Sequence, residues 1–295
     1  MDNWDEIRTA YHVARRGTVS GAAEVLGVHH ATVIRHIDSL EARLGVKLFQ
    51  RHARGYTATE AGSDLLSVAQ ATDDQFSQLA SRIRGRGEAV SGELTVTAVP
   101  GMSGLLLPAL AGFQRTHPDV RIKYLSDPRV LRLEYGEAHV AIRAGAIPQE
   151  PDNVVQPFYK QDIALYANAD YVATHGIPKT EDELLTHLFI GTAYTASRAP
   201  FHRWLNANVS EDNIVFRTSG LDAGYHAIMQ GMGIGFMPVW VARGREDLIE
   251  VAPPRDEWAS QSWLVTHVDL HRSPKVQTFL SYLKDNAKSW PRAAD

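Results

Sequence analysis

Ala22-Ala23-Glu24-Val25-Leu26-Gly27-Val28-His29-His30-Ala31-Thr32-Val33-Ile34-Arg35-His36-Ile37 decides the fold, because it holds one short helix, a tight joint and the start of a second helix. The spacing predicts a first helix from Ser20 to Leu26, with Ser20 as candidate N-cap and Ala22 and Ala23 on its inner face. Gly27 ends it, since glycine turns left-handed at no steric cost, and Val28 folds back as a hydrophobic plug. In the second helix, His30 to Leu44, Val33, Ile37, Leu40 and Leu44 recur at gaps of four, three and four, which is one helical stripe. The other face carries His30, Thr32, Arg35, His36, Ser39 and Arg43, short or cationic groups that suit base edges and phosphates.

Two helices crossing through so short a turn form a helix-turn-helix, whose second helix lies in the major groove. Lys47–Gln50 and Tyr56–Ala58 read as strands joined by Arg51-His52-Ala53-Arg54-Gly55, a cationic turn. A basic hairpin beside a recognition helix is a wing, and its arginines suit phosphate or a narrow minor groove. From His29 to Thr57 five cations face two carboxylates, while the whole chain is net −4, so the basic charge is local. The expected DNA contacts are His29, His30, Thr32, Arg35, His36, Arg51 and Arg54.

Upstream, Asp5 to Arg16 shows Trp4, Ile7, Tyr11 and Ala14 on one helical stripe, read as core support. Downstream, a long helix begins at Thr59 and runs to Arg84. Leu65, Ala69, Thr72, Phe76, Leu79 and Ile83 alternate at gaps of four and three along it, a heptad seam. Such a seam asks for a partner helix, either the same helix of a second subunit or the chain's own domain. A glycine-rich hinge, Gly85 to Gly92, follows.

Beyond the hinge strands and helices alternate, which predicts an α/β fold with a mostly parallel sheet. The first set is strand Leu94–Ala98, helix Ser103–Thr116, strand Val120–Leu125, helix Asp127–Gly136 and strand Val140–Arg143. A second set has strands Ile163–Ala167, Phe189–Gly191, Ile214–Arg217 and Ile234–Met237, with helix Gly220–Gln230. The last strand, Trp263–Thr266, and last helix, Pro274–Ala287, return to the first lobe.

The chain has 295 residues, 44% of them apolar and 22% charged, and no cysteine. That composition is globular and long enough for two or three domains, and it excludes disulfides, thiolate catalysis and cysteine-bound zinc. The acidic start, Met1-Asp2-Asn3-Trp4-Asp5-Glu6, lacks signal-peptide character. No apolar run nears the roughly 20 residues that span a bilayer. A cytoplasmic protein without membrane partners is expected.

Ala22 to Val28, Ala31-Thr32-Val33-Ile34-Arg35-His36-Ile37, Leu40-Glu41, Leu44 to Arg51 and Thr59-Glu60-Ala61-Gly62 resemble the N-terminal signature of LysR-type transcriptional regulators. Ile34 departs from the serine that many members carry there. Pro108 with Phe113, His117-Pro118, Gly136 to Arg143 and Gly231 to Pro238 resemble the effector domain of the same regulators, where His139 replaces a common aspartate.

The resemblance implies α/β plus all-α architecture: an N-terminal winged helix-turn-helix (1–58), a long linker and dimerisation helix (59–87), and a C-terminal two-lobed, periplasmic-binding-protein-like α/β effector domain (88–295). Lobe I would take about 91–162 and 266–295, and lobe II about 163–265. It also implies a homotetramer of dimers on double-stranded operator or promoter DNA, a small-molecule effector and no catalysis. RNA polymerase is a further candidate partner.

Ligands of two-lobed domains sit at strand C-termini and helix N-termini between the lobes. The candidates are Gly101, Met102 and Ser103 on one side, with Tyr194, Thr195, Phe201 and Ser219 on the other. Hydroxyls and free N–H groups there suit a carboxylate, and the aromatics an apolar body. Ser103 reads almost as well as a plain N-cap, Arg143 as an effector cation or an ion-pair partner, and His267 as a hinge residue or a surface or core histidine. No cofactor or metal is expected: adjacent His29 and His30 diverge on a helix, and Gly231-Met232-Gly233-Ile234-Gly235 follows a helix rather than a strand. The rival readings are a solute sensor that does not act on DNA and an enzyme on the same two-lobed scaffold.

Overall fold

The computed structural model describes residues 3–52, 55–83, 90–126, 130–194, 197 and 199–291, with the backbone alone at 67, 71, 74, 77–83 and 135. Helix α1 (Trp4–Arg16) starts on Asn3, whose side chain accepts from the Asp5 N–H, and stops at Gly17, where φ is 70°. Helix α2 (Val19–Leu26) is capped by Thr18 rather than Ser20: the Thr18 hydroxyl accepts from Gly21 N–H at 3.1 Å, which draws Ser20 into the first turn. Helix α3 (His30–Leu44) ends at Gly45. Val33, Ile37 and Leu40 are fully buried against Ala10, Val13, Ala22 and Leu48. Each such aliphatic side chain contributes roughly 1.5–3 kcal/mol relative to exposure.

The wing is β1 (Phe49–His52) paired antiparallel with β2 (Gly55–Ala58). It starts two residues later than the sequence suggests, because the Leu48 N–H donates to the Glu41 carboxylate instead of entering the ladder. The Tyr56 N–H donates to Gly17 O at 2.7 Å, so the wing is fastened to the α1–α2 corner. A Cβ on Gly55 would lie 2.3 Å from that oxygen, which is why the position is glycine.

Helix α4 (Glu60–Ile83) begins at Thr59, whose hydroxyl accepts from Gly62 N–H. Its start belongs to the head: Ala69 is buried in the helix-turn-helix core and Leu65 packs against it. This corrects the seam, whose first two positions are filled by the chain's own domain. Phe76 is 51% exposed and meets only the edge of Trp4, ring centroids 5.3 Å apart, among described ring contacts. The side chains of Leu79 and Ile83, and residues 84–89 of the hinge, lie outside the described residues.

Lobe I is built on β3 (Gly92–Ala98), α5 (Ser103–Thr116), β4 (Val120–Ser126), β5 (Val140–Ala144) and β6 (Asn153–Gln161). Lobe II follows with β7 (Ile163–Asn168), α6 (Ala169–His175), α7 (Glu181–Leu185), β8 (Phe189–Thr192) and α8 (Pro200–Asn208). It continues through β9 (Ile214–Thr218), α9 (Leu221–Met229), β10 (Gly235–Pro238), α10 (Val239–Ala242) and β11 (Leu248–Ala252). The chain then returns through β12 (Ser260–His267), α11 (Val268–His271) and α12 (Pro274–Ala287).

The lobe I sheet has the order β4-β3-β5-β12-β6. The three strands of the first set, β4-β3-β5, are parallel as expected, whereas β12 and β6 add antiparallel and the β10-β7-β11 sheet is antiparallel throughout, so the parallel pattern does not extend to the whole domain. Parallel neighbours need helical crossovers, whereas β12 arrives from the other lobe. It already pairs at Ser260, upstream of the expected Trp263, so this sheet takes the chain back before the 266 boundary. The expected helix at 127–136 is, in its described part, a single 3-10 turn at Leu133–Tyr135 closed by Gly136.

A DNA-reading head and a cleft between two lobes

With its apolar stripe buried, α3 turns His30, Ala31, Ile34, Arg35 and Asp38 to water, and His29 is exposed at its N-cap. An open concavity in the angle of α2 and α3 is lined by Ser20, Glu24, Val28, His29, His30 and Ala31 among others. Three groups expected on this outer face turn to α1 instead. Glu6, buried on α1, accepts from Ser39 at 2.9 Å and pairs with Arg43 at 2.6 Å. His36 is half-buried, its Nδ1 2.9 Å from the Thr9 hydroxyl, which itself donates to Asp5 O and so accepts from the ring. His36 is therefore corrected from a base contact to a tie between helices. Thr32 is half-buried at the same flank.

Arg51 is also engaged: its guanidinium pairs with Asp38 and lies 3.4 Å from Glu41. Glu41 is 3% exposed and was not singled out in the sequence, although an acid next to the buried stripe was the available signal. Burial raises its pKa, but hydrogen bonds from Lys47 and from the N–H groups of Leu48 and Phe49 outweigh this and hold it below the ordinary carboxylate value. Arg54 lies outside the described residues.

Between the lobes, the loop after β3 meets α9 and α10. A Cβ on Gly101, where φ is +91°, would lie 2.8 Å from Leu221 Cδ1 and 3.8 Å from the Tyr225 hydroxyl, and one on Gly104 would strike the Trp240 ring. Met102 occupies the N-cap position and is buried, and the Ser103 hydroxyl is 3.2 Å from that of Tyr124, so Ser103 is not the cap. On the lobe II side, the Ala193 N–H donates to Thr218 O, Thr218 Oγ1 accepts from Gly220 N–H, and Ser197 lies 2.9 Å from His202 Nδ1. Tyr194 and Ser219 are exposed, while Phe201 packs on Phe236 in the lobe core. Thr195 lies outside the described residues.

Burial pushes His202 down to about 4, leaving it neutral near pH 7, and burial beside Asp222 raises Tyr225 well above the ordinary phenol value. Arg217 is held by Glu211 and Thr192 O. Arg143 pairs with Glu150 at 2.8 Å and donates to Leu131 O, the arrangement of the ion-pair alternative. His267 sits at the opposite end of the strands from the cleft loops. Strand β12 runs antiparallel to β5, with Val265 opposite Ala141, so it finishes at the end where β5 begins, and His267 accepts from Asp269 N–H as the N-cap of α11.

At that same end of the strands is a joint the sequence did not reveal. His139 Nδ1 accepts from Thr95 N–H at 3.0 Å, and its Nε2 is 3.3 Å from the side-chain amide of buried Gln70 on α4 and from Lys275 Nζ. Among the described residues no cluster could hold a metal ion, and no helix is long and apolar enough to cross a membrane.

Comparison with known proteins agrees with both halves. The uncharacterized HTH-type transcriptional regulator YcaN of Escherichia coli is 26% identical over 240 residues, 80% of this chain and 78% of that one. HTH-type transcriptional regulator CrgA of Neisseria meningitidis is 28% identical over 190 residues, 64% and 63% of the two chains. In fold, the crystal structure of ArgP from Mycobacterium tuberculosis superposes with a TM-score of 0.74 at 17% identity, covering 99% of both chains. Residues 4–63 match the bacterial regulatory helix-turn-helix protein family of lysR type, and residues 87–288 match the LysR substrate binding domain. These two matches cover the head that presents α3 and the two-lobed domain behind it, and the chain thus belongs to the LysR family of transcriptional regulators, not to an enzyme family.

Proposed function

We propose that α3 reads operator DNA through Arg35, with His29, His30 and Thr32 at its N-terminal end, while Arg54 of the wing carries the backbone contact and Arg51, expected to share it, stays largely with Asp38. The observation that carries this is the complete burial of Val33, Ile37 and Leu40, which fixes Arg35 on the outward face of a net basic segment. A small molecule taken between the lobes, held at Gly101, Met102 and Ser103 and at Tyr194, Thr195 and Ser219, biases the placement of the heads. Such control requires that the ligand bind two assembly states with different affinity. A carboxylate is the favoured class, held by hydroxyls and helix N-terminal N–H groups, since Arg143 and Arg217 are already paired.

Phe76, with Thr72, Leu79 and Ile83, pairs α4 with a second copy. Dimers assemble further into tetramers, and RNA polymerase is met at the promoter in the cytoplasm. Selection of genomic fragments on the purified full-length chain tests the reading: enrichment of one sequence class, altered by carboxylate metabolites, is expected. Uniform recovery of all fragments at moderate salt would defeat it.

A further inference from the structure

The recognition helix carries a large apolar group that is partly exposed on its outer surface. Ile34 leaves 38% of its surface in water, between buried Val33 and exposed Arg35. It lies three residues beyond exposed Ala31, hence beside it on the helix surface. Ala31 in turn lines the concavity between α2 and α3 together with Val28, also 38% exposed. On the other side, one turn along, Asp38 is paired with Arg51 of the wing. The apolar surface is thus small and bounded.

Single exposed aliphatic side chains are ordinary and need no partner. These three differ in their company, because His29, His30 and Arg35 are exposed on the same tip of a net basic segment. A polyanion is the complementary partner of such a surface, and it is continuous with the helix face assigned to DNA. Three small or medium side chains are too little area for a stable protein interface. In the major groove the matching apolar feature is the C5 methyl of thymine, since the other base edges there present polar donors and acceptors.

We propose that Ile34, with Ala31 beside it, is a specificity-determining residue that packs on a thymine C5 methyl group adjacent to the position read by Arg35. The proposal rests on α3 being the reading helix. It adds a base identity at a position where the chain offers no hydrogen-bonding side chain.

The test uses the full-length chain and its selected duplex, with each thymine of a half-site replaced in turn by deoxyuridine, which removes only the C5 methyl. One position per half-site is expected to weaken wild-type binding roughly four-fold, the worth of about 0.8 kcal/mol for one buried methyl group. The same replacement should leave Ile34→Ser unchanged, while Ile34→Val keeps part of the effect. Both variants alter an exposed side chain, and unchanged melting curves confirm folding. Equal losses in wild type and Ile34→Ser, or no uracil-sensitive position beside the base that depends on Arg35, overturn the proposal. Wild-type protein that prefers no sequence would overturn the α3 reading itself, and this assignment with it.

Discussion

The buried carboxylate of Glu41 accepts the Leu48 N–H at 2.9 Å, so one side chain joins the end of the recognition helix to the start of the wing. Phe49 N–H and Lys47 Nζ donate to it as well, at 3.2 and 2.6 Å, and Arg51 lies 3.4 Å away. Glu41→Ala strands two buried N–H groups and is expected to destabilise the head by about 3 kcal/mol. Chemical denaturation checks this, and a loss under about 1 kcal/mol would mean that the wing is held by its other contacts.

Arg35→Ala should lose about 1–3 kcal/mol at one base position and relax preference there. Binding to the selected duplex and to base-substituted versions reads this out. Equal weakening on specific and random DNA would show a phosphate contact instead.

The two wing arginines should behave differently. Arg54→Ala is expected to make the dependence of log affinity on log salt shallower by about 0.9, the value of one released counterion. Arg51→Ala should change the slope far less, because Asp38 already neutralises its guanidinium. Identical slope changes for both would show that the Asp38 pair opens on DNA.

Two apolar positions of α4 separate assembly from folding. Phe76→Asp places charge on an exposed ring and should shift sedimentation toward monomer with the melting temperature kept. Ala69→Asp places it in the head core and should destabilise the head by about 3 kcal/mol or more. Unchanged sedimentation of Phe76→Asp would remove that residue from the subunit interface.

His12 is buried, and burial, reinforced by Arg8, Arg15 and Arg16, lowers its pKa from 6.5 to about 4. Between those pH values the unfolded imidazole holds a proton that the folded one lacks, so acidification favours unfolding. Melting temperature should fall as pH drops from 6.5 to about 4, and His12→Gln should flatten that limb. Glu41 and Glu6, lowered from 4.5, act in a more acid window, their stabilisation being lost as pH falls through their folded values. A parallel pH profile for His12→Gln would show that the histidine is not the titrating group.

Much of this was readable in one dimension. Local periodicity placed α3, and α5 and α12 fall at the predicted residues, because a helix needs only its own stripe and caps. Strand β6 has no counterpart in the sequence reading; it carries Pro157 and pairs with β12 alone at the sheet edge, the place where a strand tolerates proline. His36, Ser39 and Arg43 looked free until Thr9 and Glu6, some thirty residues earlier, met them. The two readings of His267 stayed open in the sequence because the direction of β12 depends on a partner strand far away in the chain.

Helix α4 is shared property: Ala69 lies in the core of the head, and Gln70, its neighbour, touches His139 of lobe I. A hybrid regulator spliced at residue 59 or 87 would therefore cut through one of two mutually fitted contacts. Transplanting this sensor onto a foreign head calls for moving α4 together with the 136–139 loop, and grafts that ignore this should fold yet fail to relay their signal.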